Sequence, residues 1–193
     1  MDWKTIKSQG QLTVSGTLYS VTHLQDATYH FTIPETDRFP ALTVGVLVQY
    51  SSHCISYGPH RGQTIDFSVV GQDARITDDK GVHRCFDLDR YEKSKSLPAI
   101  FASFDDRTCF YTGHENWLTV ELSTLGWPRN IEYQIIFNLG RQSRGFLRLN
   151  VESAFPPYAN SAVLRDFPRW ATVRARTLLA KTLRGEPIKP PHR

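Results

Sequence analysis

The stretch RGFLRLNVESAFPP, residues 144–157, carries two chemistries on one extended segment. Side chains alternate along a strand, so Leu147, Leu149, Val151, Ser153 and Phe155 share one face, and Phe146, Arg148, Asn150 and Glu152 share the other. The first face is core. The second lines up a cation, an amide and a carboxylate, and the Pro156–Pro157 pair then stops the strand. Such a face is either a solvated sheet surface or the floor of a site for something negatively charged. Strict alternation places Ser153 with the apolar set; a twist or bulge would turn it to the polar one.

Working outward, RTCFYT, NWLTVEL and IEYQIIFNL read as three preceding strands, separated by the turns GHE, TLGWPRN and GRQSR. Their alternation sets Leu118, Val120 and Leu122 against Trp117, Thr119 and Glu121, and Tyr133, Ile135 and Phe137 against Glu132, Gln134 and Asn138. Before them, Asp87 is placed to cap a helix over LDRYEKSK, and Pro98 kinks it or opens a second helix, PAIFASF. The first 80 residues, with QLTVSGTLYSV, ATYHFTI and LTVGVLVQYSSHCISY, read as strands with no competing helical period. TDDKG at 77–81 is a tight turn from which VHRCF returns. After PPYANS a last helix is expected near Pro168, with Trp170, Val173, Thr177 and Leu178 facing inward and the arginines wet. The expected architecture is α+β: one domain over 1–164, comprising a β-rich part (1–83) and a helix pair with a four-stranded antiparallel sheet (84–164), then a basic C-terminal helix and tail (165–193).

With 40% hydrophobic, 12% aromatic and 22% charged residues in 193, the chain has the composition of a folded domain. No window of about 18 apolar residues exists to span a membrane, and MDWKTIKSQGQ lacks the apolar stretch of a signal peptide. Three cysteines, at 54, 85 and 109, make no disulfide framework and suit a reducing cytoplasm. The net charge of +4 is uneven: from Arg165 onward eight Lys or Arg stand against two acids. A basic tail on a near-neutral body is the footprint of a polyanionic partner, because phosphate neutralisation releases counterions.

Gly-rich phosphate loops, Cys-x-x-Cys pairs, His-Glu-x-x-His and Gly-x-Ser-x-Gly are absent from the sequence, so nucleotide hydrolysis, zinc proteolysis and serine hydrolysis have no motif behind them. His53–Cys54, His60, the HRC at 83–85 and Cys109 have no ligand-pair spacing; no metal is expected, and the cysteines read as small core residues. Two loops carry functional side chains. SYGPHRGQ offers Tyr57, His60 and Arg61, and YTGHEN offers Tyr111, His114 and Asn116; a loop His beside a cation can move a proton next to a bound phosphate, although turn chemistry alone accounts for both stretches.

The segments LDRYEKSKSLPAIFASF, RTCFYT, NWLTVEL, IEYQIIFNL and LRLNVESAFPP cover about residues 87–157. Their layout resembles the small metal-independent ribonucleases grouped with RelE, barnase and EndoU. The ending Ser153-Ala154-Phe155-Pro156 is similar to the Ser/Thr-Ala-aromatic-Pro ending of toxin- and phage-associated members. The resemblance implies 2′-OH attack on the adjacent phosphate, with a His or Glu as base, an Arg or Lys on the phosphoryl oxygens and a Ser or Thr orienting the phosphate. Ser153 matches a motif position; Arg148 and Glu152 fit the roles by chemistry, and His60 and His114 are the loop histidines available for them. Arg61, Arg141, Arg144, Arg169, Arg174, Arg176 and Lys181 are the cations expected to hold RNA, in preference to DNA. No cofactor is implied, and a protein inhibitor or target is a further expected partner. A second class stays open, a non-catalytic toxin or regulator that docks on nucleic acid or on a protein. For that class QLTV at 11–14 has part of the Gln-Leu-x-Leu-Phe pattern of peptides that bind bacterial sliding clamps, without the aromatic end.

Overall fold

The computed structural model of the chain describes residues 1–60, 63–112, 116–122, 131–156 and 171–188. In chain order the elements are α1 (Trp3–Gln9), β1 (Gln11–Val14), β2 (Thr17–Ser20), β3 (Ala27–Ile33), β4 (Leu42–Tyr50), β5 (Ser56–Tyr57), α2 (Phe67–Val70), β6 (Arg75–Thr77) and β7 (His83–Phe86). They continue as α3 (Leu88–Ser94), α4 (Leu97–Ala102), β8 (Thr108–Tyr111), β9 (Trp117–Leu122), β10 (Ile131–Ser143), β11 (Phe146–Phe155), β12 (Thr172–Arg174) and α5 (Ala175–Arg184).

The four strands expected between residues 107 and 156 form, each antiparallel to the next, in the order β8-β9-β10-β11. They are not a sheet by themselves. Among the described residues the sheet has seven strands, because β12 adds to β8 at one edge while β4 and then β3 extend it past β11. The β4–β11 contact is parallel, pairing Gly45 with Phe146 and Gln49 with Asn150. Val44, Val46, Val48 and Tyr50 of β4, with Leu147, Leu149 and Val151 of β11 and Tyr133, Ile135 and Phe137 of β10, enter one hydrophobic core. Phe101 and Phe104 pack onto it from the α4 side, with Phe104 edge-on to Phe137 at 5.3 Å between ring centres.

Local chemistry sets the helices. Asp87 Oδ1 accepts from the Arg90 amide at 3.0 Å and starts α3, and Pro98 sits in the first turn of α4, where a missing N–H costs nothing. The sequence reading missed α1. Asp2 caps it through the Thr5 amide at 2.9 Å, Gly10 closes it at φ +69°, and Trp3 anchors it by donating Nε1–H to the Tyr50 carbonyl. A seven-residue helix that buries only Trp3 and Ile6 leaves little periodic signal.

Three other expectations are corrected. β10 runs through the GRQSR stretch to Ser143, and the reversal is the two-residue Arg144–Gly145 turn, with Gly145 at φ +81°. The polar face is not wet everywhere: Trp117, Thr119 and Gln134 are buried. Thr172–Arg174, expected to be helical, is strand β12; only from Ala175 does the helix run, burying Leu178, Leu179 and Leu183 in the common core. Residues 172–184 of the basic segment therefore pack with the rest of the described chain. The turns GHE and TLGWPRN, Pro168 and Trp170 lie outside the described residues.

Candidate functional site

Strand β11 keeps its alternation only as far as Val151. Phe137 of β10 pairs with Val151 and Ile136 with Ser153, so Glu152 is an extra residue with no opposite number, a β-bulge. The bulge shifts the parity. Val151 and Ala154 are both buried, and Ser153 comes to lie beside Ile136 on the polar side with Glu152, where simple alternation would have turned it inward.

The bulged carboxylate is held on both oxygens. Asn138 Nδ2 donates to Glu152 Oε1 at 2.8 Å and Asn116 Nδ2 donates to Oε2 at 2.9 Å. Each amide is oriented in turn, since Asn150 donates to Asn138 Oδ1 at 3.0 Å and the Thr112 hydroxyl donates to Asn116 Oδ1. Gln49, Asn150 and Asn138 are register partners across β4, β11 and β10, so the floor is a row of amides crossing three strands.

Next to Glu152 stands a pair the sequence reading did not assemble. His53 Nε2 lies 3.2 Å from Asp78 Oδ2. Asp78 Oδ1 accepts the Lys80 and Val82 amides, each at 2.9 Å, so the TDDKG turn presents its other oxygen to the imidazole. Burial works to raise the Asp78 pKa, but the Val82 amide, the His53 contact and the Lys80 amide outweigh it and hold it below the ordinary carboxylate value. His53 is held below its ordinary value, first by burial and then by the Arg84 charge, against the pull of Asp78. It is therefore mainly neutral near pH 7, and with Nε2–H given to Asp78 the lone pair resides on Nδ1.

The placement of His53 follows from a short turn, Ser52–Cys54, bonded to the bulge. The Ser51 amide donates to the Val151 carbonyl at 3.1 Å and the Ser51 hydroxyl to the Glu152 carbonyl at 2.7 Å. Behind the turn two buried arginines converge. Arg84 Nε donates to Ser56 Oγ at 2.9 Å, and Arg90 Nη1 donates to the Ser56 carbonyl at 2.9 Å and the His53 carbonyl at 3.1 Å.

These groups border a cleft of about 400 Å³ whose lining includes Ser51, His53, Asp78, Lys80, Glu152 and Ser153. An adjoining cleft of about 420 Å³ shares Ser51, Asp79 and Glu152 and adds Lys4 and Lys7. It shares Asn138 and Asn150 with a third, of about 440 Å³, at Arg148 and Arg141. Together they make one groove over the polar face. Such an arrangement can take up a proton at His53 beside a fixed carboxylate, with cations near by to balance developing negative charge.

Of the expected catalytic residues, Glu152 and Ser153 meet in the first cleft, whereas Arg148 lies at the far end of the groove. His60 is exposed and lines none of the three clefts, and His114 lies outside the described residues. Among the expected RNA-binding cations, Arg61 and Arg169 also lie outside the described residues. Arg141 and Arg144 are exposed at the β10–β11 end. Arg174 Nη1 donates to the Asp106 carbonyl at 3.2 Å, Arg176 pairs with the Asp106 carboxylate, and Lys181 borders a separate groove between α5 and the 33–39 loop. Leu12 and Val14 of QLTV are buried in the β1–β2 hairpin, which leaves neither for a partner's pocket.

Cys54, Cys85 and Cys109 are free, buried thiols; burial pushes the Cys54 and Cys109 thiols up to about 12. Among the described residues no three His, Cys, Asp or Glu side chains gather as a metal site would, and no helix is long and apolar enough to cross a membrane. His53 and Asp78 stand 25 residues apart on different elements, and no spacing in the sequence announces the pair.

No curated protein and no solved structure matches the chain. A family model does, over residues 11–183, a span that contains the bulge, the His53–Asp78 pair and the sheet that holds them: the chain belongs to the YjaZ family.

Proposed function

We propose that the chain is a metal-independent endoribonuclease of toxin or phage-defence type, acting in the cytoplasm and restrained by a protein inhibitor. The observation that supports it is the cleft in which Glu152 and Ser153 face the His53–Asp78 pair. His53 Nδ1 takes the proton of a 2′-hydroxyl, and the Glu152 carboxylate, fixed by Asn116 and Asn138, offsets the positive charge that the imidazole gains across the cleft. The 2′-oxygen bonds to phosphorus, the bond to the 5′-oxygen breaks, and the leaving oxygen takes a proton from water while the imidazolium returns its own to solvent. Asp78 keeps the ring in the useful tautomer and steadies the imidazolium. Lys80 offsets charge on the phosphoryl oxygens, and Ser153 donates to one of them.

The test is purified protein on mixed-sequence single-stranded RNA with chelator present, scored for 2′,3′-cyclic phosphate ends. Cleavage should drop on the order of 10²–10⁴-fold in His53→Gln and Glu152→Gln and less in Asp78→Asn, with circular dichroism unchanged. RNA left intact by inhibitor-free wild-type protein ends the nuclease reading. A second reading, a non-catalytic docking groove, is favoured by charge: Asp26, Asp78, Asp79 and Glu152 nearly balance Lys4, Lys7, Lys80, Arg141 and Arg148 along the groove. That reading expects all three variants to bind as wild type does and none to cleave.

A further inference from the structure

Arg148 stands at the end of the groove away from its acids. Its register partners are Gly140 on β10 and Leu47 on β4, so no carboxylate stands across from it on either side. Among the described residues it makes no ion pair, in contrast to Lys7 with Asp26 and Arg176 with Asp106. Gly140 leaves the space beside it open, since a Cβ built there would meet nothing within 4 Å. This end of the groove is otherwise bordered by Asn138, Leu139, Gln142, Asn150 and Arg141, with no acid among them. The opposite end holds Asp78, Asp79 and Glu152. The groove thus has a polarity, acidic where the proton is moved and cationic where Arg148 waits.

We propose that the Arg148 end is a phosphate subsite for single-stranded RNA, several nucleotides away from the cleaved bond; the proposal rests on the nuclease reading for its RNA. Arg148 and Glu152 stand four positions apart on β11, about 13 Å at the usual rise. A stacked strand advances about 3.4 Å per nucleotide, so a ligand touching both ends spans roughly four nucleotides. Arg148 therefore binds substrate and does not stabilise the transition state. Between the two ends lies the amide row Gln49, Asn150 and Asn138, whose groups both donate and accept. Those are the partners that unpaired bases offer on their edges and that a closed A-form duplex hides.

The experiment measures fluorescence anisotropy with 2′-O-methylated oligonucleotides, which lack the attacking hydroxyl, and in parallel the cleavage of unmodified RNA of the same sequence. A single-stranded hexanucleotide should lose about 10-fold in affinity to Arg148→Ala, with the salt slope smaller by about one, while a dinucleotide loses less than twofold. A loss equal at both lengths, or no loss on the hexanucleotide, overturns the subsite. Hexanucleotide duplex bound as tightly as the single strand overturns its single-strand character. Length-dependent binding with unmodified RNA left uncut keeps the subsite and removes the nuclease reading.

Discussion

Gly58→Ala tests whether the buried arginine behind His53 is held where it is described. A Cβ at position 58 would lie 2.7 Å from Arg84 Nη1, closer than Cβ contacts are found, and 3.3 Å from its Cζ, tighter than most. Backbone strain does not enter, because Gly58 is not among the glycines with positive φ. The guanidinium must turn, and with it the bonds to Ser56 Oγ at 2.9 Å and the Ser56 carbonyl at 3.0 Å. A hydrogen bond from a charged donor contributes about 1.5–3 kcal/mol, so losing one and bending the other should cost about 2–4 kcal/mol. Urea unfolding at pH 7 gives that number, with Gly140→Ala, which meets nothing within 4 Å, as the control expected to stay within about 0.5 kcal/mol. A second readout uses the electrostatics: with the Arg84 charge displaced, the His53 pKa followed by NMR should rise toward its ordinary value. A cost below about 0.5 kcal/mol together with an unmoved His53 titration would refute the assignment.

Leu179 of α5 is fully buried, so Leu179→Ala should cost about 2–5 kcal/mol in urea unfolding, and a change under 0.5 kcal/mol would mean that the basic segment is detachable after all. His53 and His23 are both held below their ordinary value of 6.5, His23 by burial first and then by Lys95. The unfolded chain then binds protons first as pH falls, so their contribution is complete above about pH 6.5 and is lost on acidification through the lower folded values; unfolding free energies between pH 7.5 and 5 should show the decline, and His23→Asn with His53→Gln should flatten it. Asp106→Asn releases Arg176 from its carboxylate, so affinity for single-stranded RNA at low salt should rise, whereas an unchanged affinity would show that this face of α5 does not touch RNA.

What the sequence made legible was what nearest neighbours decide. Alternation in NWLTVEL and IEYQIIFNL, the Asp87 cap and the Asx turn of TDDKG are written within a few residues of where they act, and each element formed. The polar face of β11 was legible too, up to the bulge, because Arg148, Asn150 and Glu152 alternate with core residues. Pairing across the chain was not. Nothing local in LTVGVLVQY says that it lies parallel to FLRLNV, and so the larger sheet went unread. The same limit hid the dyad: His53 was weighed as a metal ligand on a strand, whereas the Ser51 bonds to the β11 backbone turn that stretch into a short helix and aim it at Asp78. Asn116 was named with its loop, but its role required Glu152 from the far end of the chain.

The parallel join of β4 to β11 also sets the order in which the molecule can come into being. As the chain leaves the ribosome, β3 and β4 can pair at once, but the inner edge of β4, with Val44, Val46 and Val48 beside it, stays unsatisfied until residues 146–155 follow. A hairpin alone is marginal in water, and an open apolar edge invites association with other chains, so a long wait is a hazard during synthesis. The bond from Ser51 to the Glu152 carbonyl, 101 residues away, is among the contacts that cannot form until then. The groove is thus completed late, and a chain interrupted before residue 146 has neither Glu152 nor the strand that positions His53. On the nuclease reading proposed above, that sequence of events keeps the unfinished product harmless to the RNA machinery that makes it.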